Sequence, residues 1–217
     1  MHRLIPSHFP PIDLFESVAD PHELELTFAI EALTNDRLKE QVGDLHRVPA
    51  QERIAGPGST PVMAAFTHIA LPSRFTDGHH YGVYYAANSL DTALAETMFH
   101  REQFMLQTQE PDTELTMREY INRVALPMHD IRGSQYAALH DPNSYAASQS
   151  FAQQLKAQGS NGLVYRSVRF EGGECIAAFR PKAVTLPIQG QHFRYVYNAQ
   201  QRKITAVLSV ALVKGDS

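Results

Sequence analysis

The stretch that most constrains the fold runs from Ser73 to His100 and reads SRFTDGHHYGVYYAANSLDTALAETMFH. Within it, the segment from Tyr81 to Ala87 is rich in tyrosine and valine and follows a polar turn that contains glycine, which predicts a short β-strand. Because side chains alternate across a strand, Tyr85 points to one face and Tyr84 to the other, where we interpret Tyr84 as a core residue. The chain must therefore build a sheet around this strand.

The same stretch continues with a helix. Ser89 and the preceding asparagine are good N-caps, and apolar residues then recur at helical spacing, so we predict a helix from about Leu90 to Met105. Glu96 and His100 are four residues apart and share one face of that helix, away from its apolar stripe. Taken alone, Glu96 would be interpreted as a solvated surface carboxylate, because glutamate is seldom buried.

Three separated motifs carry a resemblance to a known family. The motifs are Arg74-Phe75, then Tyr85 followed by Ala93-Leu94-Ala95-Glu96, and finally the predicted strand from Gly162 to Arg169, which contains Ser167, with the segment from Gly172 to Pro181 after it. In this order they resemble the RES domain, a family named for its Arg, Glu and Ser. The resemblance covers roughly Leu45 to Pro187.

The segment between Pro49 and Pro72 departs from the family pattern. It is longer than expected between the family's first strand, matched here by Leu45 to Val48, and the arginine motif. The roles of Arg47 and Arg74 could therefore be exchanged or shared. We interpret the segment as an irregular loop followed by the short apolar run from Val62 to Ala70, and as either a lid or a plain surface insertion.

The resemblance implies an α+β fold similar to that of the ADP-ribosyltransferase toxins, with a split antiparallel sheet and flanking helices. We predict two parts, a helical N-terminal extension over residues 1–44 and the RES domain over residues 45–217. The other elements predicted from local patterns are strands at Arg118 to Leu126, Gly162 to Arg169 and Glu174 to Phe179, a sheet edge at Asp130 to Arg132, a helix from about Ser144 to Gln158, and a hairpin made of Phe193 to Tyr197 and Lys203 to Val213.

The resemblance further implies a toxin of a toxin–antitoxin pair that consumes NAD. Cleavage of the nicotinamide–ribose bond passes through an oxocarbenium-like state, which a fixed carboxylate stabilises, and Glu96 is our candidate. Arg74, or else Arg47, would bind the phosphates through its planar fork of donors. Tyr85 could stack on the nicotinamide ring, and Ser167 could hold the carboxamide or a ribose hydroxyl.

The acceptor of the reaction stays open at this point. An NAD glycohydrolase, an NAD phosphorylase and a protein ADP-ribosyltransferase need the same leaving-group chemistry and differ in what they admit opposite it. We favour degradation of NAD, with protein modification as the alternative, and a non-catalytic module that binds a nucleotide or a protein as an alternative of another class. NAD is then the substrate, and we expect no separate cofactor. His100 could orient Glu96.

Composition limits the partners. The net charge of −4 over 217 residues gives no support for binding to nucleic acid or to anionic membranes. By resemblance we expect an Xre-like helix-turn-helix antitoxin that covers the cleft and makes the DNA contacts itself. A homo-oligomer formed through the N-terminal helices is also considered.

Location and metal binding are also constrained. No apolar run reaches the length of a signal peptide or a membrane span, so we expect a cytoplasmic protein. The lone Cys175 excludes an internal disulfide and is compatible with either redox compartment. The apolar surroundings of Cys175 in the sequence predict a buried, unreactive thiol. The eleven histidines do not occur at the sequence spacings typical of metal ligands, such as His-Glu-x-x-His, so we expect no metal site.

Overall fold

The computed structural model describes residues 1–7, 43–69 and 71–211. The helical segment predicted before residue 44 lies mostly outside these residues, and the division of the chain at residue 44 stays a prediction. Within the described part of the chain, no helix is both long enough and apolar enough to cross a membrane.

The described chain forms three α-helices and one eight-stranded sheet, joined in places by short 3-10 helices. The helices are α1 (Thr60–Thr67), α2 (Leu90–Thr108) and α3 (Ala146–Ala157). The strands are β1 (His2–Pro6), β2 (Tyr84–Ala87), β3 (Thr113–Ile121), β4 (His129–Asp130), β5 (Gly162–Arg166), β6 (Glu174–Ala178), β7 (Ile188–Asn198) and β8 (Lys203–Val210).

The sheet has the order β4-β5-β6-β2-β1-β3-β7-β8. Its neighbouring strands run antiparallel, apart from the parallel pair β4–β5 at one edge. The predicted mixed α and β fold with an antiparallel sheet and flanking helices is therefore confirmed. The predicted hairpin near the end of the chain is also confirmed, since β7 and β8 pair from His192–Val210 to Asn198–Lys203.

The two faces of the sheet pack into two separate cores. Val83 and Ala87 belong to the core that also contains residues of α2 and α3, whereas Tyr84 and Ala86 belong to the core around α1. Tyr84 is fully buried, and the Nδ2 group of Asn122 donates a hydrogen bond of 2.9 Å to its hydroxyl. The alternation predicted for this strand and the core role predicted for Tyr84 are both confirmed.

Strand β1 is a central strand that the sequence did not reveal. It pairs with β2 at His2–Ala87 and with β3 over its whole length, from His2–Ile121 to Pro6–Met117. The Nη1 group of Arg3 donates to the carbonyl of Tyr85 at 3.0 Å. Because β1 fills the position between β2 and β3, it joins the two halves of the sheet.

The strand predicted at Leu45 to Val48 is wrong. Leu45–Arg47 forms a 3-10 helix, whose start is capped by Asp44 through a hydrogen bond of 3.1 Å from the His46 backbone N–H. The position between β2 and β3 is occupied by β1, so this segment packs beside the sheet instead of inside it.

The segment from Pro49 to Pro72 is neither a lid nor a plain surface insertion. It contains α1, where Val62 and Met63 are fully buried in the core around Tyr84. The close approach of α1 to the chain just before β2 requires a glycine, because a Cβ on Gly82 would lie 2.1 Å from the carbonyl oxygen of Ala65. The segment is thus part of the folded body.

Candidate active site

Helix α2 begins three residues after the end of β2 and carries the candidate carboxylate, Glu96. As predicted, Ser89 caps this helix, with its side chain accepting a hydrogen bond of 3.2 Å from the Thr92 N–H. The helix packs on the sheet through Ala93 and Met105. Glu96 lies between these two anchors and is half-buried.

Ser167 holds Glu96 directly. Its hydroxyl donates to Glu96 Oε1 at 2.6 Å, and its Oγ accepts hydrogen bonds from the backbone N–H groups of Arg169 and Phe170 at 3.1 and 3.0 Å. A serine hydroxyl has one donor and two acceptor positions, so its hydrogen-bonding capacity is fully used. The structure thus brings Ser167 and Glu96 together, and a contact between Ser167 and substrate stays a prediction.

Arg74 is a buried arginine that is held by neutral groups. Its Nη1 donates to the carbonyls of Leu139 and Asp141 at 3.2 and 2.9 Å, and its guanidinium carbon lies 4.9 Å from the centre of the Tyr145 ring. Among the described residues, no carboxylate lies within ion-pair distance of it. Its charge is therefore not offset by a carboxylate in the part of the chain that the structure describes, which suits a role in anion binding.

Arg74 and Glu96 act electrostatically on the same neighbour. Burial raises the pKa of the Tyr165 hydroxyl well above its usual value, the charge of Glu96 raises it further, and the charge of Arg74 opposes both effects. The pKa of Cys175 is raised to about 12 by burial first, and it responds to the same two charges in the same directions. The hydrogen bonds of Arg74 and Arg169 to the adjacent carbonyls of Asp141 and Pro142, and of the Arg169 N–H and Glu96 to Ser167, place Arg74 and Glu96 in one region. The buried thiol predicted at Cys175 is confirmed.

Tyr85 fixes the loop that carries Arg74. The Phe75 backbone N–H donates to its hydroxyl at 3.0 Å, and the Ser73 hydroxyl lies 2.8 Å from the same oxygen. Burial raises the pKa of this phenol, which therefore stays protonated. The residue is half-buried, its ring packs near the Phe75 ring, and stacking on nicotinamide stays a prediction.

His100 lies among arginines. Its pKa is lowered to about 4, first by desolvation and then by the charges of Arg169, Arg101 and Arg74, although part of the residue is exposed to solvent. The imidazole is therefore neutral near pH 7. His100 and Glu96, both described in the structure, form no hydrogen bond with each other. Ser167 holds Glu96 instead, in the role expected of His100.

The structure places Arg47 away from the other four predicted site residues. Its Nε lies 3.2 Å from Asp44 Oδ2, and its Nη1 donates to the His79 carbonyl at 2.7 Å. It lines a cavity of about 160 Å³ together with residues such as Lys156 and Arg180, and neither Glu96 nor Arg74 lines that cavity. A second cavity, of about 390 Å³, lies at residues 127–129 and 158–161 and is also separate from the predicted site.

Sequence reasoning passed over one residue of this region. Arg169 follows Ser167 by two positions, and its Nη2 donates to the Pro142 carbonyl at 2.7 Å. Its guanidinium carbon lies 3.4 Å from the centre of the Phe99 ring. A lone arginine in a turn is usually solvated, so the only signal in the sequence was its nearness to Ser167.

The fold and this site define the class: an α+β protein with a mostly antiparallel sheet, a carboxylate fixed by a serine hydroxyl, and two arginines without a carboxylate partner among the described residues. The RES domain matches residues 45–198 of the chain. The protein therefore belongs to the RES domain family, as its three motifs predicted.

Two similar proteins add context. The chain is 27% identical over 205 residues to a protein of Sinorhizobium fredii (strain NBRC 101917 / NGR234) named "Uncharacterized protein y4oC", and the alignment covers 91% of this chain and 82% of that protein. It is also similar, at 12% identity and a TM-score of 0.41, to a chain in the crystal structure of the M. tuberculosis MbcT–MbcA toxin–antitoxin complex. That similarity covers 62% of this chain and 76% of the other.

Proposed function

We propose that the protein is the toxin of a toxin–antitoxin pair and that it degrades NAD by cleaving the bond between nicotinamide and ribose. Membership of the RES domain family supports this proposal. The observation that carries it is the 2.6 Å hydrogen bond from Ser167 to Glu96, which fixes a carboxylate on the turn that also carries Arg169.

The geometry suits an oxocarbenium-like transition state. Positive charge develops on the ribose as nicotinamide departs, and a carboxylate held in advance stabilises that charge without having to reorganise. Ser167 engages Oε1 of Glu96, and Oε2 would then face the sugar. Arg74 would bind a phosphate of the same substrate, and Tyr85 would contact the nicotinamide ring.

The acceptor in this proposal is water or inorganic phosphate. Transfer of ADP-ribose to a protein is the alternative, because it needs the same leaving-group chemistry. A non-catalytic module that binds a nucleotide is the alternative of another class. It has no need of a carboxylate fixed by a dedicated hydroxyl.

The partner in this proposal is an Xre-like helix-turn-helix antitoxin that covers the cleft. Phe170 is 40% exposed and follows the Ser167 turn, so a partner that covers the site would contact it. The toxin would act in the cytoplasm on the NAD pool there. Expression of this chain alone is expected to arrest growth, and expression with the product of a neighbouring gene is expected to restore it.

The direct test uses protein made by cell-free synthesis, which avoids its toxicity. The protein is incubated with NAD, and free nicotinamide is followed by chromatography with and without phosphate in the buffer. We expect Glu96→Ala to abolish nicotinamide release. Glu110→Gln, which alters a carboxylate just beyond the end of α2, serves as the matched control and is expected to retain full release.

The products separate the alternatives. Free ADP-ribose indicates hydrolysis, ADP-ribose 1″-phosphate indicates phosphorolysis, and label from adenine-labelled NAD that precipitates with protein indicates ADP-ribosylation. If folded wild-type protein releases no more nicotinamide than Glu96→Ala, the enzymatic proposal is wrong and the binding module is favoured.

A further inference from the structure

We propose that Arg169 and Arg74 together bind the diphosphate group of the nucleotide substrate, the role for which the sequence suggested Arg74 and Arg47. This inference rests on the proposed function in one respect, because it takes the ligand to be a dinucleotide diphosphate. It assigns a substrate contact to a residue that the three family motifs do not single out.

The two guanidinium groups are anchored on one short loop. Arg74 donates to the carbonyl of Asp141 at 2.9 Å, and Arg169 donates to the carbonyl of the next residue, Pro142, at 2.7 Å. Adjacent carbonyls in a chain are a few ångströms apart, because consecutive Cα atoms are about 3.8 Å apart. The two cations are thus anchored at neighbouring positions of one loop, where two linked phosphates could contact both.

Arg169 is also joined to the candidate carboxylate. Its backbone N–H donates to Ser167 Oγ, and the same hydroxyl donates to Glu96. The position of Arg169 is therefore fixed relative to the carboxylate that would face the ribose. In a dinucleotide, the diphosphate is attached to that ribose, so the anion and the reacting carbon would be bound by one connected turn.

The charges around the pair favour an anion. Neither Arg74 nor Arg169 lies within ion-pair distance of a carboxylate among the described residues. Arg169 stacks instead on the Phe99 ring at 3.4 Å, which orients its donors without neutralising its charge. His100 lies close enough for both charges to lower its pKa, so it also senses this uncompensated positive potential.

Arg47 does not fit this role. It is paired with Asp44 at 3.2 Å, and it lines a separate cavity with Lys156 and Arg180. A carboxylate partner offsets part of the charge that Arg47 could offer to a phosphate. Arg169 has no carboxylate partner among the residues that the structure describes.

The test measures binding, so it does not depend on turnover. The affinities of ADP-ribose, ADP and adenosine for the whole chain are measured by titration calorimetry in the wild type, Arg169→Ala, Arg169→Lys, Arg74→Ala and Arg47→Ala. Arg194→Ala is the matched control. Arg194 lies on β7 and pairs with Glu114 of β3, toward the opposite end of the sheet from β5, which precedes Arg169. Thermal unfolding of each variant identifies any that fail to fold, and Arg169→Lys serves where Arg169→Ala does so.

We expect Arg169→Ala to weaken ADP-ribose and ADP binding about tenfold to a hundredfold, as for loss of a hydrogen bond to a charged group, and to leave adenosine binding unchanged. Arg169→Lys should give a smaller loss, because it keeps the charge and loses the fork. In NMR titrations, ADP-ribose should raise the pKa of His100 in the wild type, because the bound diphosphate offsets the charges of Arg74 and Arg169.

Other outcomes overturn the inference. They are unchanged ADP-ribose affinity in folded Arg169 variants, a larger loss in Arg47→Ala than in Arg169→Ala, an equal loss for adenosine, or no binding of ADP-ribose at all. The proposed function is judged separately by nicotinamide release. Arg169-dependent binding of ADP-ribose without cleavage of NAD would support this inference and contradict the proposed activity, whereas cleavage that is indifferent to Arg169 would do the reverse.

Discussion

Replacing Ser167 with alanine removes the group that fixes Glu96. The substitution deletes a 2.6 Å hydrogen bond to the carboxylate and leaves the backbone N–H groups of Arg169 and Phe170 without their acceptor. A hydrogen bond to a charged group contributes about 1.5–3 kcal/mol and a neutral one about 0.5–1.5 kcal/mol. The site is half-buried, so water replaces part of these bonds, and we expect the free energy of unfolding to fall by about 1–3 kcal/mol.

The catalytic effect of this variant should exceed its effect on substrate binding. A carboxylate that is free to rotate no longer faces the ribose as charge develops, and misplacement of this kind costs on the order of 100-fold in rate. We therefore expect kcat for nicotinamide release to fall about 10- to 100-fold and KM to change much less. Ser167→Thr keeps the hydroxyl and should recover most of the rate.

Two measurements check this reasoning. Urea unfolding gives the loss of stability, and initial rates of nicotinamide release over a range of NAD concentrations separate kcat from KM. If Ser167→Ala unfolds more easily but retains the wild-type kcat, the bond to Glu96 is structural alone, and the account of the site is wrong.

Three further predictions concern the neighbouring residues. Arg74→Ala should raise KM and lower kcat for NAD in steady-state kinetics, because phosphate binding acts in both the ground state and the transition state; an unchanged KM would contradict a role in phosphate binding. Tyr85→Phe removes the acceptor of the Phe75 N–H and should lower the free energy of unfolding by about 1 kcal/mol, measured by urea denaturation. The folded pKa of His100, about 4, lies below its ordinary value of 6.5, so the unfolded chain binds more protons between these values and stability should decrease as pH falls from 6.5 to 4. His100→Gln should flatten that part of the stability profile measured by thermal unfolding, and an unchanged slope would mean that His100 is not desolvated.

The local sequence pattern was sufficient to predict the secondary structure of β2 and the start of α2. The alternation around Tyr84 and Tyr85 and the N-cap at Ser89 depend on neighbouring residues, and the structure confirms them. The helix predicted from Ser144 to Gln158 is α3, Ala146–Ala157, for the same reason. Elements with a strong periodicity of their own could thus be predicted from the sequence.

Elements decided by distant contacts could not be predicted. Strand β1 has five residues and a single buried one, Leu4, so only its pairing with β2 and β3 makes it a strand. The segment Leu45–Arg47 has a pattern that fits a strand, but the cap from Asp44 and the presence of β1 in the sheet make it a 3-10 helix. In both cases tertiary context overrides local preference.

The candidate site shows the same division. Resemblance singled out Arg74, Glu96 and Ser167 one by one, and the structure brings Ser167 onto Glu96 across a sequence separation of 71 residues. The segment from Leu139 to Pro142 holds Arg74 and Arg169, but nothing in the sequence indicates this role. The hydrogen bonds go to backbone carbonyl oxygens, which every residue has, so only the folded structure shows which carbonyls are used.

The most direct measurement for the whole account compares the single-turnover rate of nicotinamide release from NAD in the wild type and in Glu96→Gln, which has the same shape without the charge. The account predicts rapid release by the wild type and a loss of at least about 100-fold in the variant, as expected for removal of one electrostatic group that stabilises the transition state. Equal rates in the two folded proteins would contradict it.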